Sequence, residues 1–134
     1  MSRPNKSHCP ISFALDIFGD KWTLLILRDM IFKDKKYYND FAKSEEAIST
    51  NILADRLDML TSEGLIKKTK DKENKRKIIY YPTAKALDLI PTILEIIDWS
   101  ARHDPNTAAP KEFIRMLKKH RKSLARQIRL KFEK

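Results

Sequence analysis

The chain has 134 residues, 42% of them hydrophobic, and a formal net charge of +10, which predicts one domain with a polyanionic partner. Its longest apolar run, about Leu24–Leu27, is far below the roughly 20 residues of a membrane-spanning helix. Gly19 and Gly64 are too far apart for a glycine-rich phosphate loop, and a single cysteine excludes an intrachain disulfide. Because no apolar stretch follows Met1, we expect no secretory signal and a cytoplasmic protein.

The first third of the chain has helical apolar periodicity. It predicts a short helix over Ile11–Phe18, a stronger one over Lys21–Ile31 and a brief one over Tyr38–Lys43. The segment Lys33–Lys36 between them is expected to be a basic turn.

The next helix is predicted over residues 49–63. Ser49 or Thr50 is suited to cap its N-terminus, and Gly64 stands where a left-handed residue ends a helix. Its core-facing stripe repeats at i, i+4 and i+7, at Leu53, Leu57 and Leu60.

After Gly64 the pattern becomes that of a β-hairpin. Residues 65–81 carry seven cations against two acids, a net charge of +5, with a polar turn at Asp71–Lys75. Such a hairpin must lie in solvent, because buried charges without partners are too costly to desolvate.

Beyond the hairpin, Thr83 is expected to cap one apolar helix that continues to about His103 and is kinked at Pro91. Residues 104–110 have the composition of a linker, and 111–134 are predicted to form a last amphipathic helix with net charge +8.

Three helices followed by a basic hairpin is the order of a winged helix. Five blocks of sequence also resemble the HxlR-type transcriptional regulators, relatives of the MarR regulators, over about residues 8–103. They are Cys9-Pro10, GDKWTLLILRDM (19–30), YYNDF (37–41), ISTNILADRLDMLTSEGLI (48–66) and TAKAL (83–87). The resemblance implies a homodimeric bacterial DNA-binding regulator, and some members sense electrophiles or oxidants through an N-terminal cysteine. Two features depart from the family: Glu46-Ala47 stands where a Pro-Gly turn is common, and the helix at 111–134 extends past the usual end.

We therefore predict a mainly α fold with a small β-hairpin (α+β), a winged helix-turn-helix with additional dimerisation helices. Residues 1–103 would form this DNA-binding domain, 104–110 a linker and 111–134 the basic C-terminal helix. That helix would either clasp the partner subunit with its cations towards DNA flanks, or lie on an acidic membrane surface.

Double-stranded DNA is the expected partner. If the 49–63 helix enters the major groove, its N-terminus and exposed face would contact bases or phosphates through Ser49, Thr50, Asn51, Asp55 and Arg56. Arg56 is equally suited to an ion pair, and Asp58, a turn deeper, is expected to be solvated. The hairpin would bind phosphates through Lys70, Lys72, Lys75, Arg76 and Lys77.

Apolar residues surround most of the 83–103 helix, more than one small domain can cover, which predicts a homodimer. The expected interface consists of Leu87, Ile90, Ile93, Leu94 and Ile97. Two-fold symmetry would then favour an inverted-repeat operator with recognition helices about 34 Å apart. The alternative is that the 111–134 segment buries the same surface within one chain.

From the residues alone, Cys9 before the first helix is expected to be a small buried apolar side chain. The resemblance, in which Cys9-Pro10 stands at the family position, implies instead a sensor of small electrophiles or oxidants, and both interpretations stay open. We expect no cofactor and no metal site, since His8, His103 and His120 are widely spaced. An enzyme is not expected. Two other functions remain open: a protein-interaction adaptor built on a winged helix, and a thiol enzyme that uses Cys9.

Overall fold

The computed structural model describes residues 7–133, and the chain divides into two compact units between Ala86 and Leu87. In the first unit the elements are α1 (Pro10–Phe18), α2 (Lys21–Phe32), α3 (Tyr38–Ala42), α4 (Thr50–Ser62), β1 (Ile66–Lys70) and β2 (Ile78–Pro82). A short helix, α5 (Ala84–Leu87), ends at the boundary, and the second unit contains α6 (Ile90–His103), α7 (Lys111–Lys119) and α8 (Arg121–Leu130). Within residues 7–133, no helix combines the length and apolarity needed to cross a bilayer.

The helices of the first unit begin at residues whose side chains satisfy free backbone amides. The Asp20 carboxylate accepts from the N–H groups of Trp22 and Thr23 at 2.9 and 3.1 Å and so caps α2. Ser49 caps α4 by accepting from the Ile52 N–H at 3.2 Å. The predicted cap at Ser49 is confirmed.

The end of α4 is formed by Gly64, which has φ +77°. The Gly64 N–H donates to the Thr61 carbonyl at 3.1 Å, and the Leu65 N–H donates to the Leu60 carbonyl at 2.9 Å. These two bonds form a Schellman motif, which needs a left-handed residue at the position of Gly64. The Lys85 ammonium also donates to the Glu63 carbonyl at 2.7 Å, so a cation lies at the negative end of the α4 dipole.

Leucine, isoleucine and aromatic side chains from α2, α3, α4 and β1 form the core of the first unit. The largest, each less than 2% exposed, are Leu27, Met30, Ile31, Phe41, Leu53, Leu60 and Ile66. The stripe predicted for α4 is confirmed, because Leu57 is also buried.

The sheet of the first unit is the antiparallel hairpin β1–β2, with Ile66 opposite Pro82 and Lys70 opposite Ile78. The residues just before α3 contact this hairpin: Tyr37 forms an isolated bridge with Ile79, and the Tyr80 N–H donates to the Lys36 carbonyl at 2.8 Å. The segment predicted as a turn, Lys33–Lys36, thus ends at a bridge to β2, a backbone partner that local sequence does not show.

Two helical predictions for the last third of the chain were wrong. The helix expected over Thr83–His103 is two helices, and Pro91 does not kink it but lies in the first turn of α6, where its missing N–H costs no helical bond. The helix expected over 111–134 is interrupted at His120, whose φ of −137° and ψ of 44° are not helical.

In the second unit, arginines of α8 pair with acids at and after the boundary. Arg121 donates to Glu95 at 2.8 Å and to Asp98 at 2.7 Å, which joins α8 to α6. Arg129 donates to Asp88 at 2.9 Å. Leu117 and Leu124, one from each helix beside the break at His120, are both buried.

The apolar residues predicted to form a dimer interface do not present an uncovered surface. Four of them are at most 5% exposed in a single protomer: Leu87, Ile90, Ile93 and Leu94. Ile97 is half-buried. The argument from surplus apolar surface therefore fails for these four, since the chain already buries them. The large apolar side chains that α6 exposes are Ile96 and Trp99, at 43% and 59%.

Candidate nucleic-acid interface

Helix α4 has one face in the core and the other in solvent. Leu53, Leu57 and Leu60 are at most 2% exposed, whereas Asn51, Asp55 and Asp58 on the opposite side are exposed. The helix is 13 residues long, enough to lie along a major groove with its first two turns at the base edges.

The N-terminus of α4 is fixed to the preceding helix. The Tyr38 hydroxyl donates to the Thr50 carbonyl at 3.0 Å, which links α3 to the first residue of α4. Ser49 accepts from the Ile52 N–H, and the side chains of Ser49, Thr50 and Asn51 are exposed. The structure therefore brings three of the predicted contact residues to one exposed end of a fixed helix.

Arg56 is held by two acids. Its guanidinium lies 3.0 Å from the Asp55 carboxylate and 3.8 Å from the Asp20 carboxylate, and its side chain is only 26% exposed. Its buried Nε has no hydrogen-bond partner in the described part of the chain. These contacts favour the ion-pair alternative for Arg56 and also neutralise part of the charge of Asp55.

The five cations predicted for the wing, the hairpin of β1 and β2 with its turn, are all exposed: Lys70, Lys72, Lys75, Arg76 and Lys77. The turn that carries them is shaped by its own polar side chains. Asp71 accepts from the Glu73 N–H at 3.1 Å, and Asn74 accepts from the Arg76 N–H at 3.1 Å. The cations thus extend from a locally ordered turn.

Tyr37 anchors this wing to the segment before α3. Its hydroxyl donates to the Asp71 carboxylate at 2.7 Å, and the ammonium groups of Lys77 and Lys36 lie 5.1 and 5.4 Å from its ring centre. The hydrogen bond from Tyr37 lowers the pKa of Asp71, and the same bond raises the pKa of Tyr37.

An ion-pair cluster supports the loop that leads into α4. Arg28 donates to both carboxylate oxygens of Glu46 at 2.8 Å, and its Nε donates to Asp29 at 2.9 Å. The hydrogen bonds from Arg28 lower the pKa of Glu46 to about 2. Asp29 is buried, and Lys35 lies 3.4 Å from it. Ala47, which follows Glu46 in this loop, has φ +59°, a conformation that favours glycine.

A groove next to the wing contains residues that sequence reasoning missed. It has a volume of about 520 Å³ and lies between α3 and β2, lined by Tyr37, Tyr38, Asn39, Asp40, Lys43, Arg76, Lys77, Ile78 and Tyr80. Lys43 and Asn39 add a cation and an amide to the predicted set. The exposed strand residues Lys67 and Lys68 were counted in the hairpin charge but not chosen as contacts.

Cys9 is the N-cap residue of α1 and is exposed, which contradicts the alternative of a buried apolar side chain. Its carbonyl accepts from the Phe13 N–H at 2.9 Å, and its own N–H donates to the Ser7 hydroxyl at 3.2 Å. Lys6, which the sequence places nearby, lies outside the described residues. Among residues 7–133, no group of three or more His, Cys, Asp or Glu side chains is placed to hold a metal ion.

Comparison with known proteins identifies the family. A family model described as HxlR-like helix-turn-helix matches residues 17–108, from α1 to just beyond α6. The chain belongs to this family. The match confirms the predicted family, and together with the observed helices and hairpin it confirms the winged-helix fold. The chain is therefore a transcriptional regulator of the HxlR type.

Curated relatives agree with this assignment. The chain is 30% identical over 96 residues to the uncharacterised HTH-type transcriptional regulator YybR of Bacillus subtilis, covering 72% of this chain and 76% of YybR. It is 33% identical over 95 residues to the uncharacterised HTH-type regulator YdeP of the same organism, covering 71% of this chain and 73% of YdeP.

Two solved structures are also similar. PA1607, a candidate transcription factor, matches with a TM-score of 0.70 and 29% identity, covering 78% of this chain and 73% of PA1607. The oxidised form of the redox regulator HypR matches with a TM-score of 0.63 and 27% identity, covering 71% of this chain and 97% of HypR.

Proposed function

We propose that this regulator binds double-stranded DNA as a homodimer, with α4 in the major groove and the wing on the phosphate backbone, at an inverted-repeat operator. The observation that carries the proposal is the exposed first half of α4, fixed through Tyr38 and flanked by the cationic wing of the same unit. As a DNA-binding regulator it would act in the cytoplasm and would not be an enzyme.

The residues of α4 have different roles in this proposal. The Asn51 amide suits the N6 and N7 edge of adenine, and Asp55 is suited to accept from cytosine N4 when Arg56 leaves one oxygen available. Thr50 and the hydroxyl proton of Ser49 are suited to phosphate oxygens. Arg56 forms an ion pair with Asp55, so it would orient the Asp55 carboxylate and would not contact DNA itself.

The wing supplies affinity that does not depend on base sequence. Each lysine placed at a phosphate releases counterions, so the affinity falls as salt rises. We add Lys43, Lys67 and Lys68 to the five predicted wing cations, because the structure exposes them just after α3 and on β1.

Selection of bound sites from a random duplex pool tests the proposal as a whole. A symmetric pair of α4 helices should select an inverted repeat whose half-sites are about 34 Å, one helical turn, apart. A set of selected sites without a repeat would contradict the symmetric dimer, and a failure to bind any duplex at low salt would favour the adaptor function.

Binding measured against salt concentration separates the roles of helix and wing. The double variant Lys72→Gln/Lys75→Gln removes four wing lysines from the bound dimer, so it should reduce the slope of log affinity against log salt by about 3.6, at about 0.9 per phosphate contact. Asn51→Ala should weaken binding by about tenfold per half-site, or about a hundredfold for the dimer on the selected site, and leave the slope unchanged. Lys21→Gln, an exposed cation on α2, serves as the control, and an equal loss of slope there would contradict the role of the wing.

A homodimer is supported by apolar side chains that a single protomer leaves in solvent. On α1 these are Ile11, Phe13 and Leu15, at 70%, 55% and 56% exposed, and on α6 they are Ile96 and Trp99. Sedimentation equilibrium should show a dimer that Phe13→Glu or Trp99→Glu dissociates, because either change places a charge in a dry interface. A wild-type monomer at micromolar concentration would refute this part.

We further propose that Cys9 senses a small electrophile or oxidant. Its thiol is exposed at the start of α1, beside the exposed apolar residues of that helix, and the similar regulator HypR has been solved in both oxidised and reduced forms. Diamide should change the affinity of the wild type for the selected duplex but not that of Cys9→Ser. A response that persists in Cys9→Ser would exclude the sensor.

A further inference from the structure

A groove in the second unit lies between the start of α6 and one side of α8. Its volume is about 540 Å³, within the roughly 300–1,000 Å³ of small-molecule sites. It is lined by Leu87, Ile90, Pro91, Lys122, Ser123, Ala125, Arg126 and Arg129. The groove therefore has apolar carbon at one side and cations at the other.

The three cations lie on one side of α8 because Lys122, Arg126 and Arg129 are spaced at i, i+4 and i+7. Arg129 is neutralised, at 2.9 Å from Asp88 and 2.9 Å from Glu133. Within the described part of the chain, neither Lys122 nor Arg126 has a hydrogen bond or an acidic partner. Two like charges four residues apart on a helix repel each other, so an anion placed between them is stabilised.

The arginines of the second unit that lie outside the groove have acidic partners. Elsewhere in the unit Arg121 pairs with Glu95 and Asp98, and Arg115 pairs with Glu112. The lining of the groove, in contrast, contains no acidic residue. Its only uncharged polar side chain is the Ser123 hydroxyl, which is suited to donate to an oxygen of a bound anion.

We propose that this groove binds a small organic carboxylate with an apolar body, aromatic or branched aliphatic. The carboxylate would lie at Lys122 and Arg126, and the body would pack on Pro91 and Ala125, the apolar lining residues that are not buried. The site is independent of the DNA-binding proposal, and α8 lies beyond the residues 17–108 that the family model matches. A regulator with such a site would respond to a second signal besides any oxidant.

The test uses 2-naphthoate as the probe and the full chain without DNA, so its failure is distinct from a failure of DNA binding. Isothermal titration should detect binding, and amide signals of Ser123 and Ala125 should shift in ¹H–¹⁵N spectra. The neutral analogue 2-naphthamide should bind about tenfold more weakly or worse, because charge-assisted hydrogen bonds are lost.

Variants then locate the site. Lys122→Gln/Arg126→Gln should weaken 2-naphthoate binding by about tenfold or more, while Lys118→Gln/Lys119→Gln, two exposed cations of α7 outside the lining, should leave it unchanged. Ala125→Trp should fill the groove and abolish 2-naphthoate binding, although Lys122 and Arg126 are unchanged. A ¹H–¹⁵N spectrum that matches the wild type outside the groove would show that this variant folds.

Four results would overturn the proposal. The first two are equal affinity for 2-naphthoate and 2-naphthamide, and an equal loss of binding in the α7 control variant. The third is dissociation of the dimer by Ala125→Trp, which would make the groove an interface between two copies. The fourth is that 2-naphthoate does not bind while the protein binds anionic vesicles of phosphatidylglycerol, and that Lys122→Gln/Arg126→Gln abolishes this vesicle binding.

Discussion

The ion pair between Arg28 and Glu46 makes a prediction about stability against pH. Glu46 accepts two hydrogen bonds of 2.8 Å from Arg28, and these lower its pKa from the ordinary 4.5 to about 2. A carboxylate whose pKa is lower in the folded state stabilises the fold above its unfolded pKa. This stabilisation should be complete above about pH 5 and should be lost as the pH falls from 4.5 towards 2.

Its size follows from the pKa difference and the exposure of the pair. At about 1.36 kcal/mol per pKa unit, the change from 4.5 to about 2 corresponds to at most about 3.4 kcal/mol. The Glu46 side chain is 30% exposed and that of Arg28 is 23% exposed, so water screens the pair. We therefore expect Glu46→Gln to lower the free energy of unfolding by about 1–2 kcal/mol at pH 7.

Urea denaturation of both proteins from pH 7 to pH 3 measures this difference, provided that the slope with urea stays constant. The difference should shrink as the pH falls, because the wild type then loses the same charge. Glu45→Gln, the same substitution at the exposed neighbouring residue, is the matched control. An equal effect at Glu45, or a difference between wild type and Glu46→Gln that is independent of pH, would refute the reasoning.

Three more substitutions test backbone and wing geometry. Ala47→Gly should raise the free energy of unfolding by about 0.5–1 kcal/mol in urea titrations, because Ala47 has φ +59°; an unchanged midpoint would contradict strain there. Gly64→Ala should lower it by about 1–2 kcal/mol through backbone strain alone, since no atom lies within 4 Å of the added carbon; a neutral result would argue against the left-handed C-terminus of α4. Tyr37→Phe should weaken DNA binding in anisotropy titrations without changing the salt slope, because it releases Asp71 but removes no cation; wild-type affinity would show that the anchor is dispensable.

Features that depend on near neighbours in sequence were predicted well. The stripe of Leu53, Leu57 and Leu60, the cap at Ser49 and the left-handed Gly64 are all set within a few residues, where periodicity and backbone preference decide the structure. The exposed cations of the wing follow from the cost of burying charge.

Features that depend on distant partners were not predicted. Arg28 meets Glu46 across 18 positions, and the Lys36 carbonyl accepts a hydrogen bond from Tyr80 only because β2 returns beside it. The apolar pattern of Ile90, Ile93 and Leu94 shows that a surface is buried, but it does not distinguish burial within the chain from burial in a dimer. His120 interrupts the last helix without a proline or glycine, so local sequence contains no signal for the break.

The attachment of the wing has a consequence for how the regulator can be switched. Tyr37 and the Lys36 carbonyl fasten the hairpin to the start of α3, and Tyr38 in turn fastens α3 to α4. Three successive residues thus couple the two elements that we propose contact DNA, so neither can move independently of the other. In the proposed dimer, an inducer would have to alter the distance or angle between the two copies of α4. Induced protein should therefore retain weak affinity for an isolated half-site.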